Sequence, residues 1–175
     1  MRRTPSQRYC LFERAGYRFA VPVDGVREVL RPTRLARLPG TPPEVLGIAA
    51  VRGGVLPVVQ IDDWLYLPRR GLRAETPILT LEAAGVRMGI VVDRVLGAAT
   101  LPPAEGGRET FGTPAVCGRT TWGELPVVCL DVARLIETAL DAVRVAAAEW
   151  RRARLGESGG LDAPDAKERE DNGRA

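Results

Sequence analysis

Histidine is absent from this chain, and the common catalytic motifs are absent with it. Without histidine, the sequence cannot build a histidine-based catalytic triad, an imidazole acid–base relay or a histidine-ligated zinc site. No GxGxxG, Walker or GxSxG motif occurs, and Arg52-Gly-Gly54 is too short for a phosphate loop. A carboxylate-based enzyme stays an alternative, with two candidate pairs: Asp62 with Asp63, and Glu13 with Glu28. The sequence therefore indicates a protein that binds rather than catalyses, with no cofactor.

Cysteine is scarce and long apolar runs are missing. The three cysteines, Cys10, Cys117 and Cys129, lack CxxC spacing, and two of them lie inside apolar strand-like segments. We interpret them as reduced core residues rather than bridges or metal ligands. Residues 1–8 carry charge without the apolar run of a signal peptide, and no segment approaches the roughly 20 apolar residues of a spanning helix. These features predict a cytoplasmic protein with no direct membrane insertion.

Aromatic residues make up 5% of the chain, and lysine occurs once, at Lys167. The formal net charge is +3, but the segment from Gly156 holds six acids against three bases, and 3 − 6 = −3 leaves +6 on the rest. This positive charge keeps a small-barrel nucleic-acid-binding protein as an alternative. Proteins that read single strands rely on aromatic stacking platforms, so the low aromatic content counts against that alternative.

The chain contains an internal repeat with an offset of 69 residues. Asp24 and Asp93 each close an apolar strand-like run and precede a valine two residues on, and 93 − 24 = 69. At the same offset, Gly54-Val-Leu-Pro-Val-Val-Gln-Ile-Asp62 aligns with Gly123-Glu-Leu-Pro-Val-Val-Cys-Leu-Asp131. This period is longer than that of solenoids or propellers, so it predicts two similar subdomains in one compact fold. The halves should superpose with Asp24 over Asp93, and Pro57 over Pro126.

Short apolar segments separated by turn residues predict a mainly β protein. Residues 9–13 and 17–22, for example, flank Arg14-Ala-Gly16, which is a hairpin signal. Short strands at regular spacing are typical of small closed or partly open barrels. We place subdomain 1 at about residues 17–66 and subdomain 2 at about residues 77–130, with the N-terminal strand and the linker shared between them.

From Asp131 the apolar period changes to that of a helix. Asp131 can cap its N-terminus, and apolar residues then recur along one face: Leu135, Ala139, Leu140, Val143, Ala147 and Trp150. We predict a C-terminal helix over residues 131–155, packed on its own domain and ended by Gly156. Residues 156–175 are polar, rich in glycine and nearly free of large apolar side chains, which predicts a disordered tail.

Three segments resemble the CheW family of chemotaxis coupling proteins. One segment resembles the family signature, in which a Gly-led strand enters an Arg-Gly turn and leaves through Pro-Val. This segment is Gly47-Ile-Ala-Ala-Val-Arg-Gly-Gly-Val-Leu-Pro-Val-Val-Gln-Ile61. Two further segments also fit: Tyr17-Arg-Phe-Ala-Val-Pro-Val-Asp-Gly-Val-Arg-Glu-Val29 and Gly89-Ile-Val-Val-Asp-Arg-Val95. The resemblance extends over residues 7–140, and the combination of segments carries it rather than any single motif.

The resemblance implies both a fold and a function. The implied fold is two intertwined SH3-like five-stranded β-barrel subdomains with a C-terminal helix. The implied function is a non-catalytic adaptor that couples chemoreceptors to a chemotaxis-type histidine kinase in a signalling array. Its partners would be the regulatory domain of that kinase and the cytoplasmic tip of the receptors. By position, five residues fall where the family makes partner contacts: Val26, Glu28, Gly47, Arg52 and Gly53.

Alternatives remain open within this resemblance. Gly47 and Gly53 equally fit a requirement of backbone geometry, and Arg52 at a turn equally fits a solvated side chain. The family usually has Asn where Ala50 stands and Asp where Gln60 stands, which alters the hydrogen bonding near Arg52. The last helix is also longer than in the family. These departures leave a pilus-motility or other alternative chemosensory pathway as an alternative to flagellar chemotaxis.

Overall fold

The computed structural model describes residues 7–31, 34–52, 54–106 and 112–157. Within these ranges the chain forms eleven strands and one α-helix. The elements are β1 (Gln7–Arg14), β2 (Tyr17–Pro22), β3 (Val26–Leu30), β4 (Leu35–Ala36), β5 (Val45–Val51), β6 (Gly54–Val59), β7 (Ile78–Ala83), β8 (Val86–Val91), β9 (Arg94–Leu101), β10 (Val116–Trp122), β11 (Leu125–Leu130) and α1 (Val132–Glu157).

Two hairpins with the same turn geometry begin the two repeats. β1 and β2 turn at Ala15 and Gly16, whose φ angles are 54° and 85°. β7 and β8 turn at Ala84 and Gly85, whose φ angles are 50° and 77°. Two consecutive residues with positive φ are typical of the type I′ turn, whose twist matches that of the flanking strands. The turns lie 84 − 15 = 69 residues apart, as the repeat predicts.

Each sheet combines strands from both repeats. The β1–β2 hairpin pairs with β9 through β1 and, in parallel, with β11 through β2. The β7–β8 hairpin pairs in the same manner with β3 and β6. The result is a five-stranded sheet of order β10-β11-β2-β1-β9 and a six-stranded sheet of order β3-β7-β8-β6-β5-β4. This exchange confirms the expectation of a mainly β protein with two intertwined halves.

The expectation of two five-stranded barrels is corrected in two respects. The short strand β4 pairs with β5 and adds a sixth strand to the second sheet. In the part of the chain that the structure describes, neither sheet closes by strand pairing, although an isolated bridge joins Glu105 to Arg119 across the opening between β9 and β10. Pro102 and Pro103 follow β9, and because proline has no N–H to donate, they cannot continue its ladder.

The second pair of repeated segments is displaced by two residues from the alignment at an offset of 69. Gly47 in β5 and Gly118 in β10 take the same register position in their hairpins, and 118 − 47 = 71. Pro57 therefore corresponds to Val128 in β11. The predicted superposition of Pro57 on Pro126 is wrong, since the two repeats differ in length between their third strand and the following hairpin.

The two sheets share one core. The largest cluster of buried side chains lies between them and includes Phe12 and Phe19 from the five-stranded sheet, and Leu79 and Ile90 from the six-stranded sheet. Each sheet also carries a smaller apolar cluster on its other face. Side chains alternate between the faces of a strand, so Phe12 enters the shared cluster and its neighbour Leu11 enters a smaller one. The two halves are therefore packed as one unit.

Helix α1 begins at the predicted cap and ends later than predicted. Asp131 Oδ1 accepts a hydrogen bond from Arg134 N at 3.1 Å, which confirms the N-cap. The helix continues through Gly156 to Glu157, so Gly156 does not end it. The remainder of the predicted disordered tail, residues 158–175, lies outside the described residues. Among the described residues, no helix combines the length and apolar character that a membrane crossing requires.

The apolar stripe of α1 packs on the domain over its first turns. Leu135 and Ala139 are buried in the shared cluster, as predicted. Leu140 and Val143, predicted on the same packed stripe, are each 41% exposed. The side chain of Trp150 lies outside the described residues. The stripe therefore continues past the point where the domain covers it.

The three cysteines form no disulfide within the described ranges, and Cys10 and Cys129 are buried as predicted, whereas Cys117 is partly exposed. Burial raises the pKa of Cys10, and it raises the pKa of Cys129 to about 12. Because the thiolate is the reactive form, we expect a disulfide reagent at about pH 8 to modify Cys117 first in the folded protein. Peptide mapping with and without denaturant checks this, and rapid modification of Cys129 without denaturant would contradict it.

Candidate partner-binding surface

A groove opens on the six-stranded sheet between β3 and the turn that follows β5. Its volume is about 610 Å³, and it is lined by Glu28, Leu30, Arg31, Ala50, Val51 and Arg52. β3 and β5 are not neighbours in the sheet order, so the groove spans the open side of this sheet. The structure thus brings together Glu28 and Arg52, two of the five residues predicted to contact partners.

The charges of Glu28 and Arg52 are available to a partner. Both side chains are exposed, and neither makes an ion pair or a side-chain hydrogen bond within the described ranges. The neighbouring Arg27 differs, because its Nη2 donates to Glu82 Oε1 at 2.9 Å. Three further exposed arginines lie beside the groove or along β4: Arg31, Arg34 and Arg37. The groove therefore presents one carboxylate within a positive rim, which favours a partner surface with an excess of acidic groups.

Two of the other predicted contact residues have evident structural roles. Val26 is half-buried and packs against the shared cluster, so part of its side chain supports the fold. Gly47 has a φ of 144°, and a Cβ at this position would lie 2.5 Å from Ala36 O in β4. No side chain fits there unless β4 moves, which supports the backbone interpretation of Gly47. Gly53 lies outside the described residues.

The sequence matches the CheW-like domain over residues 8–140. That range contains both hairpins, both sheets, the groove and the first turns of α1. The chain belongs to the CheW-like family.

Curated relatives of this CheW-like chain include two proteins at 33% identity. Protein PilI of Pseudomonas aeruginosa aligns with 57% of this chain and 61% of its own length, and protein FrzA of Myxococcus xanthus with 58% and 63%. The chain therefore spans less than two thirds of either relative. The chemotaxis protein CheW of Klebsiella aerogenes is 24% identical over 77% of this chain and 84% of its own length.

The CheW-like fold also occurs in a solved structure. The crystal structure of the scaffolding protein TtCheW from Thermoanaerobacter tengcongensis superposes with a TM-score of 0.66. The match covers 73% of this chain and 90% of that protein, at 21% sequence identity. At this identity the likeness shows the fold, and it confirms the CheW-like fold expected from the sequence.

The positions where this CheW-like domain departs from the expected family pattern have different surroundings. Ala50 lines the groove beside Arg52. Gln60 is buried, its backbone N donates to Glu44 O at 2.8 Å, and its side-chain Nε2 donates to Pro43 O at 3.3 Å. Gln60 therefore anchors the segment that leads into β5, whereas Ala50 contributes no side-chain hydrogen-bonding group to the groove.

A buried ion cluster that the sequence pattern does not predict joins the two halves of the CheW-like domain. Arg14, at the end of β1, is 1% exposed, and Asp62, which follows β6, is 0% exposed. Nε and Nη2 of Arg14 donate to Oδ1 and Oδ2 of Asp62, both at 2.6 Å, in a forked geometry. Nη1 of Arg14 donates to Asp93 Oδ1 at 3.1 Å. Arg14 thus connects β1 of one sheet to the segments that follow β6 and β8 of the other.

Backbone groups complete this cluster. Ala15 N donates to Asp93 Oδ2 at 2.8 Å, and Arg70 N donates to Asp62 Oδ2 at 3.1 Å. The carbonyl oxygen of Arg70 accepts a hydrogen bond from Arg14 Nη2 at 3.1 Å, which ties the linker to the cluster. Burial alone would lower the pKa of Arg14, but the hydrogen bonds and charges of Asp62 and Asp93 raise it above its ordinary value.

Three of the four carboxylates considered for catalysis are engaged in ion pairs. Asp62 binds the guanidinium of Arg14, and Asp63 accepts hydrogen bonds from Arg69. Glu13 pairs with Arg94 and Arg18, whereas Glu28 makes no ion pair within the described ranges. The hydrogen bond from Arg69 lowers the pKa of Asp63 below its ordinary value. A carboxylate held in this way is a poor general base. Within the described ranges, no group of three acidic or cysteine side chains is arranged to hold a metal ion.

Proposed function

We propose that this protein is a non-catalytic adaptor that couples chemoreceptors to a chemotaxis-type histidine kinase. The observation that carries the proposal is the match to the CheW-like domain across both repeats. Its partners would be the regulatory domain of the kinase and the cytoplasmic tip of the receptors, which places the protein in the cytoplasm. The crystal structure of TtCheW, which has the same fold, is that of a scaffolding protein, which supports a role in assembly rather than in catalysis.

The groove is the surface that we assign to one of these partners. Glu28 and Arg52 carry opposite charges, line the same groove, and have no ion-pair partner within the described ranges. An interface that meets both charges fixes the orientation of the partner as well as its position, because the reversed orientation would oppose like charges. Arginine suits such a contact because its guanidinium can donate two parallel hydrogen bonds to a carboxylate or to backbone carbonyl groups.

Coupling requires more than simultaneous binding. A scaffold changes kinase activity only if its contacts differ in free energy between two arrangements of the complex. The shared core and the buried cluster around Arg14 make the two halves one rigid platform, so a shift at the groove is passed to the rest of the adaptor as a unit. We infer that this adaptor transmits receptor movement through its placement rather than through internal rearrangement.

Arg52→Glu is expected to weaken binding to a receptor or a kinase by a few kcal/mol while leaving the fold intact. The side chain is exposed at a turn, so a change of charge there alters stability by about 0.5 kcal/mol or less. At an interface, the same change removes a charge-assisted contact and adds a repulsive carboxylate. Titration of each purified partner against the variant, with circular dichroism as the check on folding, measures both effects.

Arg8→Glu provides the matched control, because Arg8 is exposed on β1 of the other sheet. We expect this control to bind both partners as the parent does. If Arg52→Glu also binds both partners with the affinity of the parent, Arg52 is not part of the contact. A variant that fails to fold would instead assign Arg52 a structural role.

A second candidate is the same adaptor role in an alternative chemosensory pathway, such as one for pilus motility. The observation behind it is that PilI and FrzA, at 33% identity, do not carry the name of a chemotaxis protein, whereas relatives with that name are 28% and 24% identical. Capture of kinases from the source bacterium with the tagged protein separates the two, since each pathway has its own histidine kinase.

A further inference from the structure

The middle of α1 carries an apolar ridge that the domain does not cover. Leu140 and Val143 are each 41% exposed, and Ala147 lies one further turn along the same face. We call Leu140, Val143 and Ala147 the α1 ridge. The match to the CheW-like domain ends at residue 140, whereas α1 continues to Glu157. Most of the ridge is therefore an addition to the part of the chain that the family shares.

Charged side chains border one side of the α1 ridge in a regular order. Glu137, Arg144 and Arg151 are separated by seven residues each, since 144 − 137 = 7 and 151 − 144 = 7. Residues seven apart on a helix lie within about 20° of each other around its axis, so the three side chains form one row. The row is acidic at its first position and basic at its last, with Arg144 midway between them.

We propose that the α1 ridge is a self-association surface that pairs with the same ridge of a second copy of this chain, with the two helices antiparallel. In that arrangement, with Arg144 near the two-fold axis, Glu137 of each copy faces Arg151 of the other. Leu140 of one copy packs near Ala147 of the other, and the small alanine side chain allows the two helices to approach closely. The row of charges is therefore complementary to itself, which identifies a second copy of this chain as the partner of the ridge.

The groups needed for these ion pairs are accessible. Glu137 is 57% exposed and accepts a hydrogen bond from Arg134 through Oε2, which leaves Oε1 for a second cation. Arg151 is exposed, and its Nε donates to Ala147 O at 3.4 Å on its own helix, which leaves its terminal nitrogens for a carboxylate. The charge of Arg144 at the centre is offset by Asp141, whose Oδ1 lies 3.3 Å from Arg144 Nη1.

The same row of charges opposes a parallel pair. With the two helices parallel and in register, Glu137 would face Glu137, and Arg151 would face Arg151, of the second copy. Like charges at facing positions are repulsive, so the row favours one orientation over the other. This orientation holds the two β domains at opposite ends of the helix pair, which leaves the groove on each domain free for its own partner.

A pair of glutamate substitutions on the same helix tests the surface. Val143 lies on the ridge, whereas Val145, 58% exposed, lies about 200° around the helix, because each residue turns it by about 100°. We expect the full-length protein to form a concentration-dependent dimer in analytical ultracentrifugation. Val143→Glu should raise the dimer dissociation constant by about tenfold or more, and Val145→Glu, the matched control, should leave it within about twofold.

A charge exchange tests the orientation. Glu137→Arg and Arg151→Glu should each weaken the dimer, and the double variant should restore it, because the exchanged charges again face each other. A parent that stays monomeric at the highest soluble concentration overturns the proposal. So does a dimer that responds equally to Val143→Glu and Val145→Glu. A dimer whose single charge variants are not rescued by the double variant overturns the antiparallel arrangement.

Discussion

Replacing Arg14 by methionine is expected to lower the free energy of unfolding by about 3–5 kcal/mol. The change removes the only guanidinium that pairs with Asp62 among the described residues, so the carboxylate stays buried without a counter-charge. Asp62 is 0% exposed and receives two hydrogen bonds from Arg14, so the variant loses both charge-assisted hydrogen bonds at a carboxylate that lies away from bulk water. Urea or guanidinium unfolding, followed by circular dichroism, measures the difference between variant and parent.

Arg69→Met is the matched control for Arg14→Met. Arg69 also pairs with an aspartate, Asp63, but its side chain is 53% exposed, and exposed ion pairs contribute little to stability because water screens them. If both substitutions cost the same small amount, Arg14 does not stabilise the junction between the halves. A double variant, Arg14→Met with Asp62→Leu, should recover most of the lost stability, since the second substitution removes the buried carboxylate that Arg14→Met leaves without a counter-charge.

Gly47→Ala should lower the free energy of unfolding by about 2–3 kcal/mol, through backbone strain and displacement of β4. The φ of 144° is one that residues with a Cβ rarely adopt, and the new Cβ would lie 2.5 Å from Ala36 O. Denaturant unfolding gives the total cost. Hydrogen exchange at Leu35 and Ala36 locates it, because a displaced β4 loses its pairing with β5.

Gly97→Ala separates the two contributions. Gly97 in β9 also has a positive φ, 112°, but a Cβ there meets no atom within 4 Å, so this variant reports strain alone. We expect it to cost less than Gly47→Ala by about 1 kcal/mol or more. Equal costs, with normal protection of Leu35 and Ala36 in the Gly47 variant, would show that the approach of β4 does not restrict this position.

The repeat was visible in the sequence because strand and turn residues recur with the fold. Asp24 and Asp93 lie before strands in equivalent register, since Val26 and Val95 keep the offset of 69. The segments 54–62 and 123–131 align by sequence two residues away from their structural register, because a shift of two preserves the alternation of inward and outward side chains. The exposure of the side chains at these positions shows the structural register. Leu56 is 2% exposed and matches the buried Val127, whereas Leu125, its partner by sequence, is 43% exposed.

The groove was partly predictable, and the ion cluster was not. Glu28 and Arg52 were identified by position in a family motif, and the open side of the sheet then brings them together. Arg14 stands beside a turn, where an arginine is ordinarily solvated, and its partners lie 48 and 79 residues away in sequence. The structure is needed to show that the exchange of strands carries this turn into the junction.

Strand exchange also determines when the protein can fold during synthesis. The first hairpin has its sheet neighbours in β9 and β11, with Glu13 opposite Arg94 and Phe19 opposite Val128. Contacts between residues this far apart in sequence form late, because closing the long loop loses conformational entropy before the contacts contribute any favourable free energy. The N-terminal half therefore cannot complete a sheet until the strands of the second half have left the ribosome. For most of that time its apolar hairpin must stay soluble or be protected by a chaperone.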